Sequence, residues 1–185
     1  MNISVENLDS NYSCIKIFDD NIYKCSSKLA DWFSGLTSSK ATVSFMHRYD
    51  GSLITNDEFI RYTDNIEHKS NQFESVEILL PKGKPIKGYL FSARLDVENP
   101  EKSRLISNIL LCFQEVLIFS IDNPCSCYSS EFITKMFINP SDNMKSDNID
   151  LCCYSRNGYV FDVYYNNLLY SSESLKEDLL GIISA

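Results

Sequence analysis

Cysteine and histidine are the residues of this 185-residue chain that would be expected to carry nucleophilic or metal chemistry. A catalytic thiol or hydroxyl needs a general base beside it, and the sequence has two His, His47 and His68. The nearest candidate nucleophiles are Cys125 and Cys127, which are distant from both His in sequence, and no Gly-x-Ser-x-Gly turn is present. We therefore interpret His47 as a strand residue and His68 as a cation at a helix end, and we predict no catalytic residue.

The seven cysteines also lack the spacing of a metal site. Neither the Cys125-Ser126-Cys127 segment nor the adjacent pair Cys152 and Cys153 has the two-residue spacing of a zinc knuckle. Cys14 and Cys112 lie among Ile, Leu and Phe, as buried free thiols do. The sequence predicts no metal and no cofactor.

One glycine pair has the separation found in a phosphate-binding loop, at Gly83 and Gly88. Tyr89 stands where that loop needs Lys, and Leu90 stands where it needs Ser or Thr. Two prolines and three lysines surround the first glycine, which favours a rigid hairpin tip over a nucleotide site.

The charge balance is acidic, with 25 Asp and Glu against 17 Lys and Arg, a formal charge of -8 and a sequence pI near 4.7. Such a chain favours a basic partner and disfavours direct binding to nucleic acid, because a phosphate backbone would repel it. From Leu105 onward there are ten acids against four bases, so the C-terminal part holds most of the excess. We therefore expect a recognition surface for a basic protein in that part, and the alternative interpretation is a solvated acidic face that binds nothing.

The candidate partner-binding residues combine carboxylates that accept salt bridges with tyrosines that pack against the partner. The carboxylates lack the alternating ligands and central glycine of an EF-hand, so we interpret them as solvated loop groups, and the tyrosines are expected to be exposed. The predicted set is Asp142, Asp147, Asp150, Tyr154, Tyr159 and Tyr164.

Alternating apolar residues and turn signals predict most of the strands. The clearest hairpin joins Asp150–Ser155 to Tyr159–Tyr165 through Asn157-Gly158, a sequence that suits a tight turn. Further strands are predicted at Cys14–Phe18, Ala41–Tyr49, Val76–Leu80 and Ile86–Leu95. Leu117–Ile121 is compatible with either a helix end or a buried strand.

Helical spacing and capping residues predict up to five helices. The first carries Trp32, which we expect to be a core anchor, and Asn139–Asn143 is interpreted as a loop. The helices are predicted from Ser26 or Ser27 to Leu36, after Thr55, from Asn99, at Ser130–Ile138 and from Ser174.

These elements predict one α+β domain spanning residues 1–185, with a largely antiparallel sheet built from hairpins and three to five helices packed on it. The N-terminal residues lack the basic flank and apolar run of a signal peptide, and the apolar run Ile109–Ile121 is too short and too polar to span a bilayer. We expect a cytoplasmic protein that does not enter a membrane.

Size, acidity and the lack of a catalytic signature together resemble the small cytosolic immunity proteins of bacterial toxin systems. That resemblance implies an inhibitor that neutralises a cognate toxin domain by direct binding. Two alternatives stay open: a thiol-dependent enzyme using Cys125, Cys127, Cys152 or Cys153, and an acidic antagonist that imitates nucleic acid against a host protein.

Overall fold

The structure is a computed structural model. It describes residues 2–20, 22–36, 41–48, 71–78, 86–95, 115–120, 130–156 and 159–184, together with the single positions 103, 106, 107 and 110.

The described strands form one eight-stranded sheet in which every neighbouring pair is antiparallel. They lie in the order β1-β2-β8-β7-β6-β3-β5-β4. The strands are β1 (Asn2–Asn7), β2 (Tyr12–Phe18), β3 (Ala41–Arg48), β4 (Asn71–Ile78), β5 (Ile86–Leu95), β6 (Glu115–Ser120), β7 (Leu151–Arg156) and β8 (Val160–Asn166).

Four α-helices lie within the described residues, and a 3-10 turn at Ile22–Cys25 precedes the first. Positions 103, 106, 107 and 110 are also helical. The four helices are α1 (Ser26–Leu36), α2 (Ser130–Ile138), α3 (Pro140–Asp147) and α4 (Ser172–Ser184). Antiparallel strands with helices confirm the predicted α+β class.

Helices cover both faces of the sheet, so the core has two parts. On the first face, α1 and α4 pack buried side chains such as Phe33 and Leu179 against alternate strand residues such as Ile15. On the second face, α2 and α3 pack residues such as Met136 and Met144 against the intervening strand residues. Because successive side chains of a strand point to opposite faces, the sheet is the middle of three layers.

The central strands β6, β7 and β8 are buried on both faces. β6 pairs with β7 along its whole length, which shows that the described part of the ambiguous segment, up to Ser120, is a strand, and residues 117–119 are buried. Ile121 lies outside the described residues. The predicted hairpin of β7 and β8 is confirmed. The predicted helix after Thr55 and the hairpin tip around Gly83 lie outside the described residues, as do the thiols of Cys112, Cys125 and Cys127.

The interpretation of Asn139–Asn143 as a loop is wrong, because α3 begins at Pro140. Proline needs no hydrogen-bond acceptor for its nitrogen and has a backbone angle that suits the first helical turn. The helix ends at Asp147, and Asn148 caps it with a positive φ of 52°, the left-handed conformation that Asn tolerates well. Asp142 and Asp147 are therefore helical residues and not loop residues.

Within the described residues, no helix has the length and apolar character needed to cross a membrane.

Candidate functional site

The predicted carboxylates lie at one end of the sheet, on and just after α3. Asp142 and Asp147 are exposed, and Asp150 is half-buried immediately before β7. The backbone N–H of Asn166 donates a 2.9 Å hydrogen bond to the carbonyl of Asp150, which places Asp150 beside the end of β8. The structure thus brings these three residues to one region.

The two exposed carboxylates of α3 accept hydrogen bonds from uncharged side chains. Asn139 Nδ2 donates to Asp142 Oδ2 at 2.6 Å, and Ser146 Oγ donates to Asp147 Oδ2 at 2.7 Å. Neutral donors orient a carboxylate without cancelling its charge. The negative charge of Asp142 and Asp147 therefore still attracts cations in the solvent.

The nearby cation of α3 is bound by a different acid. Lys145 Nζ lies 2.6 Å from Asp9 Oδ2, an ion pair that ties α3 to the turn between β1 and β2. The pKa of the Asp9 carboxyl is lowered below its usual value, mainly by the hydrogen bond from Lys145. The backbone N–H groups of Asn11 and Tyr12, which donate to Asp9 Oδ1, lower it further. This contact fixes α3 at the edge of the sheet.

The expectation that Tyr154 and Tyr164 are exposed is wrong, since they are only 7% and 9% exposed. Both side chains belong to the core on the second face, where Phe137 packs edge-on against Tyr154 with ring centroids 5.7 Å apart. Burial raises the pKa of the Tyr164 hydroxyl. These two rings stabilise the fold and do not offer a free contact surface.

Tyr159 is exposed as predicted, but it lies far from the carboxylates. It directly precedes β8, whereas Asp150 lies beside Asn166 at the other end of that strand. At about 3.3 Å per strand residue, the separation is roughly 20 Å. The six predicted residues therefore do not form one continuous surface.

A buried charged network lies on the second face of the sheet, where sequence reasoning placed nothing. Asp162 is 1% exposed and accepts a 2.6 Å hydrogen bond from Arg156 Nη2. Burial raises the pKa of the Asp162 carboxyl despite the opposing charges of Arg156 and Lys16. Lys16 lies opposite Asp162 on β2 and pairs with Glu6, while the guanidinium of Arg156 lies over the Tyr154 ring.

Two polar atoms of this network have no hydrogen-bond partner within the described structure, Asp162 Oδ1 and Arg156 Nε. Both atoms are inaccessible from the surface. A solute therefore cannot reach them without displacing the covering side chains, so the network has the properties of a structural ion pair and not of an open site.

The thiols that the structure describes are poorly suited to nucleophilic catalysis. Cys14, Cys152 and Cys153 are buried, and Cys25 is partly buried. Burial raises the pKa of Cys14 to about 12 and also raises the pKa values of Cys152 and Cys153. Because the thiolate is the reactive form, these three side chains are protonated and inert at neutral pH.

A groove of about 700 Å³ lies between α1 and α4. Its apolar floor contains Trp32, Leu36 and Ile182, which are half-buried against the first core. The α1–α4 groove is lined by Lys28, Asp31, Trp32, Gly35, Leu36, Glu177, Asp178, Gly181 and Ile182.

The α1–α4 groove carries three carboxylates and one ammonium group, all exposed. Ser103 Oγ donates a hydrogen bond to Asp31 Oδ1, and Trp32 Nε1 donates to Asp178 Oδ2 at 3.4 Å. These donors are neutral, as at α3, so the groove combines an apolar floor with a negative rim.

The sequence does not predict the α1–α4 groove, because Trp32 in an apolar helical stripe predicts a core anchor. The lining residues of α1 recur three and four positions apart, from Lys28 through Trp32 to Leu36, and so share one helical face. Leu29 and Phe33 form the adjacent, fully buried face. The sequence signal that could have indicated the groove is Gly35, which lies three residues after Trp32 and so adjoins it on the helix without a side chain to cover it.

No group of three or more potential metal ligands occurs among the residues whose positions are described. Comparisons with protein-family models, curated proteins and solved structures found no match for this chain.

Proposed function

We propose that this protein binds a cationic protein partner and acts as an inhibitor of the immunity-protein type, neutralising a bacterial toxin domain. The observation that supports the proposal is that the exposed carboxylates of α3 accept hydrogen bonds from neutral side chains. Asp142 and Asp147 are oriented by neutral donors, while the nearby ammonium of Lys145 is bound to Asp9.

A surface of this kind promotes association with a basic protein. Oriented carboxylates raise the rate of encounter and supply salt-bridge acceptors with little reorganisation. Asp150 extends the surface toward β7. Tyr159, about 20 Å away, would contact only a partner that spans the length of the β7–β8 hairpin.

The inhibitor assignment is supported by the combination of acidity and thiol burial. An immunity protein needs a stable fold and a charged recognition face, and it needs no reactive group. The buried thiols of Cys152 and Cys153 weigh against the thiol-enzyme alternative at those two positions.

The test is affinity capture from the source cell, followed by a functional assay of the captured protein. We expect the wild-type chain to capture a basic polypeptide at low salt, and the purified chain to inhibit the toxic activity of that polypeptide. The Asp142→Asn/Asp147→Asn double variant should weaken capture, because it removes two charges without changing side-chain size.

The matched control is Asp20→Asn/Glu173→Gln, which removes the same number of charges at exposed positions that neither lie on α3 nor line the groove between α1 and α4. Retained capture by the control together with loss by the α3 variant supports the proposal. If both variants capture the partner as well as the wild-type chain does, α3 does not recognise the partner. Competition by DNA or RNA for the captured protein would instead support the nucleic-acid-mimic alternative.

A further inference from the structure

Beyond the proposed function, we infer that the α1–α4 groove is a second binding site, for a cationic amphipathic polypeptide segment. The occupant would present Lys or Arg toward the rim and large aliphatic side chains toward the floor. This site lies on the first face of the sheet, whereas α3 packs on the second face.

The floor of the groove provides apolar area that the fold leaves uncovered. Trp32, Leu36 and Ile182 are only partly buried although they adjoin the first core. Tryptophan is enriched at the energetic centres of interfaces because it combines a large apolar surface with a polar N–H group. Aliphatic side chains of a partner would complete the burial of these residues.

Two glycines, one on each helix, line the groove without contributing a side chain to it. A Cβ atom at Gly35 or Gly181 would meet no other heavy atom within 4 Å. A larger side chain at either position would therefore have space to enter the groove. Its volume of about 700 Å³ lies within the roughly 300–1000 Å³ usual for ligand sites.

The rim determines the charge of the occupant. Asp31, Glu177 and Asp178 outnumber Lys28, so the rim favours cations. A second copy of this chain carries a charge of -8 and would be repelled, as would an anionic membrane surface. Charge complementarity thus favours a basic segment of another protein.

The chain contains a single Trp, Trp32, so intrinsic tryptophan fluorescence reports directly on the groove. The probe is a short peptide of Leu and Lys at helical spacing, without aromatic residues. Its matched control has Glu in place of every Lys. We expect saturable change in Trp32 emission with the Lys peptide, weakening as salt is added, and no binding of the Glu peptide.

Gly35→Leu and Gly181→Leu should each weaken binding about tenfold or more, because the new side chains occupy the groove. Glu177→Gln/Asp178→Asn should weaken it about fivefold. Asp142→Asn/Asp147→Asn should leave it unchanged. Circular dichroism would verify that each variant retains the fold.

Three outcomes would overturn the inference. The Glu peptide could bind as tightly as the Lys peptide, or both leucine variants could bind the Lys peptide as tightly as the wild-type chain does. The third outcome is that light scattering shows a dimer of the wild-type chain and that either leucine variant is monomeric. The last outcome would assign the groove to self-association. None of these outcomes depends on the α3 surface, so this site and the proposed function can fail independently.

Discussion

At the scale of single residues, Asp162 is the only charged residue that is fully buried within the described part of the chain. Its charge is only partly compensated, because one oxygen binds Arg156 and the other has no partner within the described structure. Taking a charge out of water costs free energy that one ion pair does not fully return. This imbalance predicts how the protein responds to pH and to loss of Arg156.

Replacing Arg156 with Leu should lower the free energy of unfolding by about 2 kcal/mol at neutral pH, because it leaves the Asp162 carboxylate buried without its cation. The expected loss is below that of a fully buried pair, since the Arg156 side chain is 40% exposed. Urea unfolding would measure it. Lys135→Gln, which breaks the exposed pair with Glu131, is the control and should have little effect.

The pH dependence of stability has a defined sign at Asp162. Burial raises the pKa of its carboxyl in the folded state above the ordinary value for Asp, so the native state binds this proton more tightly than the unfolded chain does. The contribution of Asp162 to stability therefore increases as the pH falls toward about 4. Asp162→Asn should remove this gain. The measurement is the unfolding free energy of the wild-type protein and of the variant as a function of pH, and the gain is the difference between the two profiles. A profile unaltered by the substitution would contradict the burial of Asp162.

The thiols give a second test at this scale. In native protein at about pH 8, iodoacetamide should modify Cys14, Cys152 and Cys153 far more slowly than the partly buried Cys25, because burial keeps those three thiols protonated. Peptide mass spectrometry after timed quenching would measure each rate. Rapid native labelling of Cys152 or Cys153 would revive the thiol-enzyme alternative.

At the scale of elements, the two groove helices carry glycine at positions that do not need it. Gly35→Ala and Gly181→Ala should each raise the free energy of unfolding by about 0.5–1 kcal/mol, because alanine favours the helix and its Cβ meets open space. Chemical denaturation would show the change. A destabilised variant would mean that the α1–α4 groove is more tightly closed than described.

The start of α3 shows that local sequence signals do not always distinguish a helix start from a loop. Asn99-Pro100 predicts a helix start, whereas Asn139-Pro140 predicts a loop because Ser, Asp and Asn follow it. The second pair does begin a helix. Met144 of this helix is buried in the second core, and a tertiary contact of this kind, which stabilises a short helix, is not visible in local composition.

The burial of Tyr154 and Tyr164 was predictable in part. β7 begins with the uninterrupted apolar run Leu151–Tyr154, which is typical of a strand covered on both faces. The pairing of β7 with β6, far back in the sequence, was not predictable, because no local pattern specifies which strands become neighbours. The local sequence therefore predicts the hairpin of β7 and β8 correctly, but it does not predict the burial of Tyr154 and Tyr164.

At the scale of the whole molecule, the described strands form one sheet that joins early and late parts of the chain. β6 links β3 to β7, and β8 links β7 to the N-terminal strand pair. Local sequence reasoning identified hairpins but not this order. The helices of both faces depend on the same central strands for their packing.

A shared sheet predicts cooperative unfolding. Trp32 fluorescence reports on α1, and far-ultraviolet circular dichroism reports on the strands and helices together. The two urea transitions should coincide, as expected for one domain. Separate midpoints would show that part of the sheet unfolds independently and would contradict the predicted single domain.

The central claim is that exposed carboxylates on α3 recognise a cationic partner by electrostatic attraction. The most direct measurement is the association rate between this protein and its captured partner as a function of ionic strength. We expect the rate to fall at least about tenfold between low and high salt, and the Asp142→Asn/Asp147→Asn variant to show a shallower dependence. An association rate that is independent of salt and identical for the two proteins would contradict the claim.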